Sequence, residues 1–341
     1  MAPSLSPIER EILSNAMSGS ALGSVFADIP GQTLQMDPLP PDTMPTGPTI
    51  STLSLTSDQV LQKAAEPGTD CIAFNIPLTL IAPLAVTALD NPPAASTVIL
   101  SGMPPTSAWA LDAIGASACP HDGAGVVVAV LDTGINKAHP AFDGIDILSR
   151  DFTGTGSPDD DKGHGTHRAA IIAGRNVDHH RIGVAPGITR LLNGKVLDRN
   201  GNGTSAQLYD AMVWAVREGA NIISISIGFD FVAFAEACQA KGLPQSAAIS
   251  RALEGYRANL RMFDKLVAML STEYSLIGSA LIFAAAGNES RAAASPAFRI
   301  GVSLPAAAEK VVAVGAVGSD QTGMALVGFR GGGCIMRPGP Q

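Results

Sequence analysis

Residues 126–134 read VVVAVLDTG, and this stretch decides the fold. The run from Val126 to Leu131 is continuous, apolar and rich in β-branched residues, and it has the length of one strand. Strands that are apolar throughout are buried on both faces, which is typical of a parallel sheet covered by helices. Similar runs follow at residues 191–197, 222–227, 281–286 and 311–317.

Helical segments separate these runs. Residues 205–218 place apolar side chains at helical spacing, and either Thr204 or Ser205 can cap the helix. A shorter helix is predicted at Arg168–Ala173 and a longer amphipathic one at residues 247–271. The alternation predicts an α/β fold: a doubly wound, mostly parallel sheet with helices on both faces. Ligands of such sheets bind at the carboxyl ends of the strands.

The chain of 341 residues has room for one large domain and an extension. We expect residues 1–104 to be an N-terminal extension with a Pro-rich linker at 29–49, and residues 105–341 to be the α/β domain. Within the extension, residues 50–90 are predicted to hold a strand, a helix at 57–65 and a second strand.

Composition excludes several classes of protein. With 22 Lys and Arg against 30 Asp and Glu, the net charge is −8, which argues against a nucleic-acid partner. The four cysteines are far apart and form no CxxC pair, so a zinc ribbon or a dense disulfide scaffold is excluded. Residues 1–17 hold charges where a signal peptide needs an apolar core, and prolines interrupt the apolar stretch at 72–89. We therefore expect a soluble protein without a membrane partner, whose location stays open.

Three polar residues follow predicted strands or turns where chemistry is expected. Asp132 ends the first strand, His164 lies in the Gly-rich turn GHGTH, and Asn288 follows the LIFAAAG strand. Taken singly, each is more often a turn, cap or structural residue. Together they are the parts of an acyl-transfer site, because a carboxylate orients an imidazole, the imidazole takes a proton from a nucleophile, and an amide donates to the oxyanion.

The same motifs resemble those of the subtilisin-like serine peptidases, the subtilases. VVVAVLDTGINKAHPAF resembles the aspartate motif of that family, GHGTH its histidine motif and AAAGNES its oxyanion-asparagine motif. Further segments that match in order are IGVAPGITRLLNGKVLDRNGNG, IISISIG and KVVAVGAV. The resemblance covers roughly residues 105–339 and implies a subtilisin-like fold, a peptide or protein substrate, and hydrolysis by an Asp-His-Ser triad.

The resemblance assigns roles to individual residues. It implies that Asp132 and His164 are two members of the triad and that Asn288 is the oxyanion donor. No cofactor is implied, and because the calcium-binding positions of the family do not match, no metal site is carried over. The implied substrate-binding residues, which include glycines that let a peptide strand pair with the enzyme backbone, are Gly201, Gly203, Ser226, Ile227, Gly228, Ala286 and Gly287.

The serine motif of the family, G-T-S-M-A-x-P, is absent from residues 1–341. We therefore expect a C-terminally truncated member, and Arg168 departs from the small or apolar residue that the family has in its histidine helix. Ser205, in the sequence GTSA, is a weak candidate nucleophile and is more simply a helix cap. Cys334 is weaker still, although a thiol can replace a hydroxyl beside a histidine.

Three other interpretations fit the sequence less well. One DTG would serve an aspartic peptidase only in a homodimer, and that reading leaves GHGTH unexplained. His164 and His167 are spaced to bind zinc on a helix, yet no third ligand is evident except the run at 159–161, which we interpret as a solvated loop. Residues 198–203 imitate an EF-hand, but Tyr209 stands where its glutamate belongs.

Two functional hypotheses stay open. The chain is either part of an active subtilisin-like endopeptidase, or an inactive truncated product or pseudo-peptidase that at most binds peptides. In either case, the N-terminal extension is a pro-segment that contacts the peptidase cleft or a partner-binding region.

Overall fold

The computed structural model describes residues 50–81, 109–273, 280–288, 290, 300–320 and 323–326. The Pro-rich linker predicted at 29–49 and the candidate Cys334 lie outside these residues. The first elements in chain order are Ser57–Ala65 (α1), Pro77–Leu80 (β1), Trp109–Ala113 (α2), Val127–Asp132 (β2), Asp146–Asp151 (β3) and His164–Ala173 (α3). The remaining elements are Arg190–Lys195 (β4), Asn202–Thr204 (β5), Ser205–Arg217 (α4), Ile222–Ile225 (β6), Ile227–Gly228 (β7), Phe231–Ala240 (α5), Gln245–Glu273 (α6), Leu281–Ala285 (β8), Val311–Val314 (β9), Val317–Asp320 (β10) and Gly323–Leu326 (β11).

A six-stranded parallel sheet forms the centre of the domain, in the spatial order β3-β4-β2-β6-β8-β9. The strand that holds the VVVAVLD run is β2, and it pairs with β4 on one side and β6 on the other. In this register Asp132, the last residue of β2, lies opposite Lys195. The predicted α/β fold with a mostly parallel sheet is confirmed.

Alternate residues of β2 are buried on opposite faces of the sheet, which explains its uninterrupted apolar sequence. Ala129 and Leu131 belong to the larger core, which α4 and α6 cover. Val128 and Val130 belong to a second core with apolar residues of α3. Helices on both faces leave the carboxyl edge of the sheet as the place for a site.

The predicted helices are present, with small differences at their ends. Thr204 rather than Ser205 caps α4: its hydroxyl accepts a hydrogen bond from the Gln207 amide, and the Gln207 side chain accepts one from the Thr204 amide. The helix predicted to start at Arg168 begins already at His164. None of the helices in the described ranges is both long and apolar enough to cross a membrane.

Two predicted strands differ from the structure. Residues 50–56 form no strand, because most of them are exposed and Thr56 instead caps α1. The run at 311–317 is divided between two sheets: β9 joins the parallel sheet, while β10 pairs antiparallel with β11. A glycine at position 315 weakens the run between them.

A second sheet of three short strands lies outside the parallel one. Strand β1, from the N-terminal extension, runs between β5 and β7 and is antiparallel to both. The predicted helix at 57–65 and the second predicted strand of this region are therefore present. Strand β1, which lies in the predicted extension, thus joins β5 and β7 of the predicted domain into one sheet.

Two glycines allow the first turn of α3 to approach the end of β2. Gly134 has a φ of 110°, in the left-handed region, and a Cβ there would overlap the backbone carbonyls of Pro158 and Asp159. A Cβ on Gly165 would overlap the carbonyl oxygen of Gly134 and lie 3.2 Å from the Cβ of Asp132. The DTG and GHG motifs are thus packed backbone against backbone.

Candidate active site

Asp132 and His164 meet at the carboxyl end of β2. The Nδ1 atom of His164 lies 2.8 Å from Oδ1 and 3.0 Å from Oδ2 of Asp132. Asp132 is 1% exposed, and its Oδ1 also accepts a hydrogen bond of 2.7 Å from the Thr133 amide. Because an ionised carboxylate only accepts hydrogen bonds, Nδ1 carries the proton and Nε2 of the neutral ring is left as the acceptor.

The second ring nitrogen of His164, Nε2, differs from Nδ1 in its hydrogen bonding. Nε2 is buried and makes no hydrogen bond to any described residue, while the side chain as a whole is 10% exposed. A neutral imidazole with one nitrogen fixed by a carboxylate and the other available to accept a proton is the arrangement that general-base catalysis needs.

Asp160 ties the two catalytic motifs together. Its Oδ1 accepts hydrogen bonds from the Thr133 hydroxyl at 2.8 Å and from the Gly163 amide at 2.8 Å. Its Oδ2 accepts from the Thr166 amide at 2.9 Å and the Thr166 hydroxyl at 2.6 Å. Burial by itself would raise the pKa of Asp160, but these hydrogen bonds outweigh it and lower the pKa.

Lys195 is hydrogen bonded to the two loops that carry the site. Its side chain is fully buried, and Nζ donates hydrogen bonds to the carbonyls of Thr133 and Asp159, each at 2.8 Å, and to Oδ2 of Asp161 at 3.1 Å. All three ammonium protons therefore have an acceptor, as a buried cation requires. Residues 159–161 do form a loop in which Asp159 and Asp161 are exposed, as predicted, but the side chains of Asp160 and Asp161 are also hydrogen bonded into the site.

The sequence held a clue to Asp160. A carboxylate shortly before a helix stabilises the first amides of that helix, and Asp160 lies four residues before His164, the first residue of α3. The sequence held no clue that Lys195 is buried, because a lysine within an apolar run can also lie at the end of a strand with its ammonium group in solvent.

Five of the predicted substrate-binding residues, those between positions 201 and 228, lie on the two sides of strand β1. Leu78 lies opposite Gly203, and the Leu80 amide donates to the Gly201 carbonyl at 2.9 Å. On the other side, the Ile81 amide donates to the Ser226 carbonyl at 3.1 Å. The register of β1 with β7 pairs Thr79 with Gly228 and Leu80 with Ile227. These five predicted residues therefore lie on the two sides of β1, and we call the groove between them, which β1 fills, the cleft.

The other predicted residues follow β8. Ala286 is buried, and its amide donates to the Val314 carbonyl at 2.9 Å, while its carbonyl accepts from the Ser303 amide at 3.0 Å. Gly287 has a φ of 116° and turns the chain away from the strand. Asn288 is half-buried just beyond this turn. Since β8 is parallel to β2 and separated from it by β6, Asn288 follows a strand end at the same edge of the sheet as Asp132.

Ser205 lies elsewhere. It is fully buried at the start of α4, where its hydroxyl accepts a hydrogen bond from the Ile76 amide at 3.1 Å and lies 3.3 Å from Oδ1 of Asn75. These partners belong to the N-terminal extension and not to the Asp132–His164 pair. The geometry does not support Ser205 as a nucleophile.

The metal interpretations gain no support from the geometry. Within the described ranges, no group of three or more His, Cys, Asp or Glu side chains is arranged to hold a metal ion. In the EF-hand-like stretch, Oδ1 of Asp198 accepts from the Asn200 amide at 2.8 Å and the Asn202 amide at 2.9 Å, as in an ordinary turn. Burial, together with the charges of Arg168 and His164, lowers the pKa of His167.

A comparison with protein families shows the family of the chain. The model of the Subtilase family matches residues 123–335, which include both motifs and the cleft. The chain belongs to the subtilase family. The resemblance predicted from the sequence is therefore confirmed. Membership of this family supports a serine peptidase function.

Curated subtilases match parts of the chain. A thermophilic serine proteinase from Bacillus sp. (strain AK1) is 42% identical over 108 residues, which cover 31% of this chain and 27% of the relative. Thermitase from Thermoactinomyces vulgaris is 34% identical over 110 residues, 31% of this chain and 39% of the relative. Subtilisin DY from Bacillus licheniformis is 28% identical over 204 residues, 59% of this chain and 60% of the relative. The chain thus spans less than two thirds of the length of each of these relatives.

Replacing Asp160 tests whether its hydrogen bonds hold the DTG and GHGTH motifs together. Because its folded-state pKa is below the ordinary value of 3.8, Asp160 stabilises the fold at pH values above 3.8, and this stabilisation is lost as the pH falls through the lowered pKa. Asp160→Asn should therefore reduce the free energy of unfolding at pH 7 by about 2 kcal/mol, the typical value for hydrogen bonds to a charged group. The difference from the unsubstituted chain should shrink below about pH 4.

Urea unfolding between pH 2.5 and pH 7 measures this difference. The neighbouring Asp159 is exposed, so Asp159→Asn is the matched control and should leave the stability at pH 7 nearly unchanged. Equal effects of the two substitutions, or a difference that does not change with pH, would contradict the role assigned to Asp160.

Proposed function

We propose that this chain carries the Asp–His part of a subtilisin-like serine endopeptidase site that hydrolyses extended peptides. In this proposal, Nε2 of His164 takes a proton from a serine hydroxyl, which attacks the peptide carbonyl, and His164 then gives the proton to the leaving amine. Asp132 holds Nδ1 and stabilises the imidazolium. The observation that carries the proposal is the buried Nε2, which has no partner among the described residues, beside an Nδ1 that a buried carboxylate fixes.

Asn288 completes this mechanism as the donor to the oxyanion. Its place after β8, at the same edge of the sheet as Asp132, supports this role. An amide that donates to the developing negative charge raises kcat by about 100- to 1,000-fold, a magnitude established on subtilisin itself.

No hydroxyl of a described residue is hydrogen bonded to Nε2 of His164. Residues 1–341 contain no G-T-S-M-A motif, and the hydroxyl of Ser205 is bonded to the N-terminal extension. In this proposal the attacking serine lies on the helix that follows the last shared motif in the family.

A second candidate function is peptide binding without hydrolysis. One observation favours it: Arg168 is half-buried in the first turns of α3, and its Nε has no hydrogen-bond partner among the described residues. A buried guanidinium nitrogen without an acceptor is costly. A helix distorted to relieve this cost would displace His164 and leave a cleft that binds peptides only.

A serine-directed probe separates the two functions. The chain of 341 residues should not react with a fluorophosphonate, whereas the chain extended through the serine motif should be labelled. Labelling should fall by at least 1,000-fold in His164→Ala, because the serine loses its base. A thermal unfolding curve of each protein is the control for folding. If the extended protein is folded and unlabelled, the endopeptidase proposal fails. Hydrolysis by the 341-residue chain that His164→Ala abolishes would show that the nucleophile lies within it.

The N-terminal extension is proposed to be a pro-segment within residues 1–104 that blocks the cleft of the domain at 105–341. A substrate peptide is expected to bind by adding a strand to the two cleft walls, and β1 occupies that position between β5 and β7. While Leu80 and Ile81 donate their amides to Gly201 and Ser226, a substrate strand has no access to the same carbonyls.

A synthetic peptide of residues 50–81 tests this block in trans. It should inhibit an intact relative such as thermitase competitively, because the backbone acceptors of the cleft are the ones that its amides use. The control peptide carries Leu80→Pro, which removes the amide donor to Gly201, and it should bind at least tenfold more weakly. Equal inhibition by both peptides, or none by either, would argue against a strand-like block of the cleft.

A further inference from the structure

A cavity of about 520 Å³ lies between residues 50–75 on one side and helices α4 and α6 on the other. Among the described residues that line it there is none of the predicted cleft residues and neither member of the Asp132–His164 pair. Its volume is within the range that small-molecule sites have. The proposed hydrolysis makes no use of this cavity, so we examined which ligand its walls would suit.

Helix α6 presents an apolar stripe to the cavity. Met262, Leu266 and Met269 line it, and their spacing along the chain places them on one face of the helix. Leu53 and Ile72 contribute apolar surface from the other wall, and the side chain of Leu53 is 54% exposed. Methionine side chains are flexible and polarisable, so they adapt to an irregular apolar ligand. These walls suit a narrow alkyl chain.

Positive charge lies beside the apolar stripe. Lys265 lines the cavity and Arg261 precedes it by one helical turn; both are exposed, and neither forms an ion pair with a described residue. Two further charged residues line the cavity: Lys63, whose Nζ lies 2.6 Å from Glu66, and the exposed Asp70. Because like charges one turn apart on a helix repel each other, an anion between Arg261 and Lys265 would be bound favourably.

Cys71 shows that both cations are close to the cavity. Its thiol is half-buried among the lining residues, and burial raises its pKa, while the positive charges of Arg261 and Lys265 act on it in the opposite direction. Such effects weaken steeply with distance where solvent has access. The two cations therefore lie near the wall that holds Cys71.

We propose that this cavity binds a single-chain amphiphile with an anionic head, of the fatty-acid class. Its alkyl chain lies along Met262, Leu266 and Met269, and its carboxylate lies between Arg261 and Lys265. Since the two walls come from distant parts of the sequence, the complete site exists only while both are in contact. The proposal concerns a site apart from the cleft and does not depend on the proposed peptidase function.

Both parts of such a ligand are needed for binding. A small anion alone would gain little, because ion pairs between exposed groups contribute little in water. A neutral hydrocarbon would gain from the removal of apolar surface from water, but it would leave the two cations without a counter-charge. An amphiphile of the opposite charge would fit the apolar stripe and be repelled by Lys265 and Arg261.

Alkylation of Cys71 by N-ethylmaleimide in the whole chain measures occupation of the cavity. The probe ligand is laurate, kept below its critical micelle concentration. At about ten times its dissociation constant, alkylation of Cys71 should slow about tenfold, because the reaction follows the unoccupied fraction. The exposed Cys119 does not line the cavity and is the internal control, whose rate should not change. Mass spectrometry of the digested chain separates the two sites, and circular dichroism checks that the protein stays folded.

Two substitutions test the two parts of the ligand. Lys265→Glu should weaken laurate binding about tenfold, since an attraction becomes a repulsion; Lys241→Glu, an exposed lysine at the end of α5, is its matched control. Leu53→Ser should weaken binding about threefold through the lost apolar contact, and Val232→Ser, at a similarly exposed position outside the cavity, should not. Because Lys265 also acts on the thiol of Cys71, each variant is compared with itself in the absence of laurate.

Dodecyltrimethylammonium, which has a similar alkyl chain and a cationic head, decides whether the charge matters. Protection of Cys71 by laurate and not by this cation, weakened in Lys265→Glu and in Leu53→Ser alone, supports the proposal. Equal protection by both amphiphiles, equal protection of Cys119, or an unchanged affinity in Lys265→Glu overturns it. Absence of protection by laurate in the folded chain overturns it as well. The fluorophosphonate labelling is a separate measurement, so either proposal can fail without the other.

Discussion

The packing of Gly165 against Gly134 brings the first turn of α3 to the end of β2, and the rest of the site depends on it. A side chain on Gly165 would hold the backbone of α3 away from the DTG turn, and a side chain on Gly134 would overlap the carbonyls of Pro158 and Asp159. The 2.8 Å contact between His164 and Asp132 requires this approach, since both side chains are short and both come from the ends of rigid elements. Asp160 and Lys195 then fix the turn from its other sides, so that the aspartate and the imidazole have little freedom to separate.

Two charged side chains at this turn, Lys195 and Asp160, are held by several hydrogen bonds each. Lys195 lies opposite Asp132 in the sheet register and donates to two carbonyls and to Asp161. Asp160 accepts hydrogen bonds from the amides and hydroxyls of both motifs, and this lowers its pKa although burial acts in the opposite direction. The Nε2 atom of His164 differs, because it is buried without a partner among the described residues. A site in which Asp132, Asp160 and Lys195 are all paired, while one basic nitrogen of His164 stays available, is the physical basis of the proposed catalysis.

The sequence predicted what depends on short-range pattern. Apolar runs of strand length located the parallel sheet, and the positions of Asp132, His164 and the cleft glycines followed from the motifs at the strand ends. It could not predict that strand β1 lies in the cleft or that Ser205 binds the extension, because these contacts join residues about 130 positions apart through backbone groups that every residue has. The hydrogen bonds of Asp160 were missed for a related reason: an acidic run is usually solvated, and only the fold shows that Thr133 and Thr166 face it.

The central claim is that the carboxylate of Asp132 holds the proton of His164 on Nδ1 and leaves Nε2 basic. Two-dimensional ¹H–¹⁵N NMR of the imidazole groups, recorded in alkaline solution where the rings are neutral, identifies which nitrogen carries the proton. Our account predicts a slowly exchanging proton on Nδ1 that is lost in Asp132→Ala. A neutral ring protonated on Nε2, or a ring in which the two tautomers interchange as in a free histidine, would contradict it.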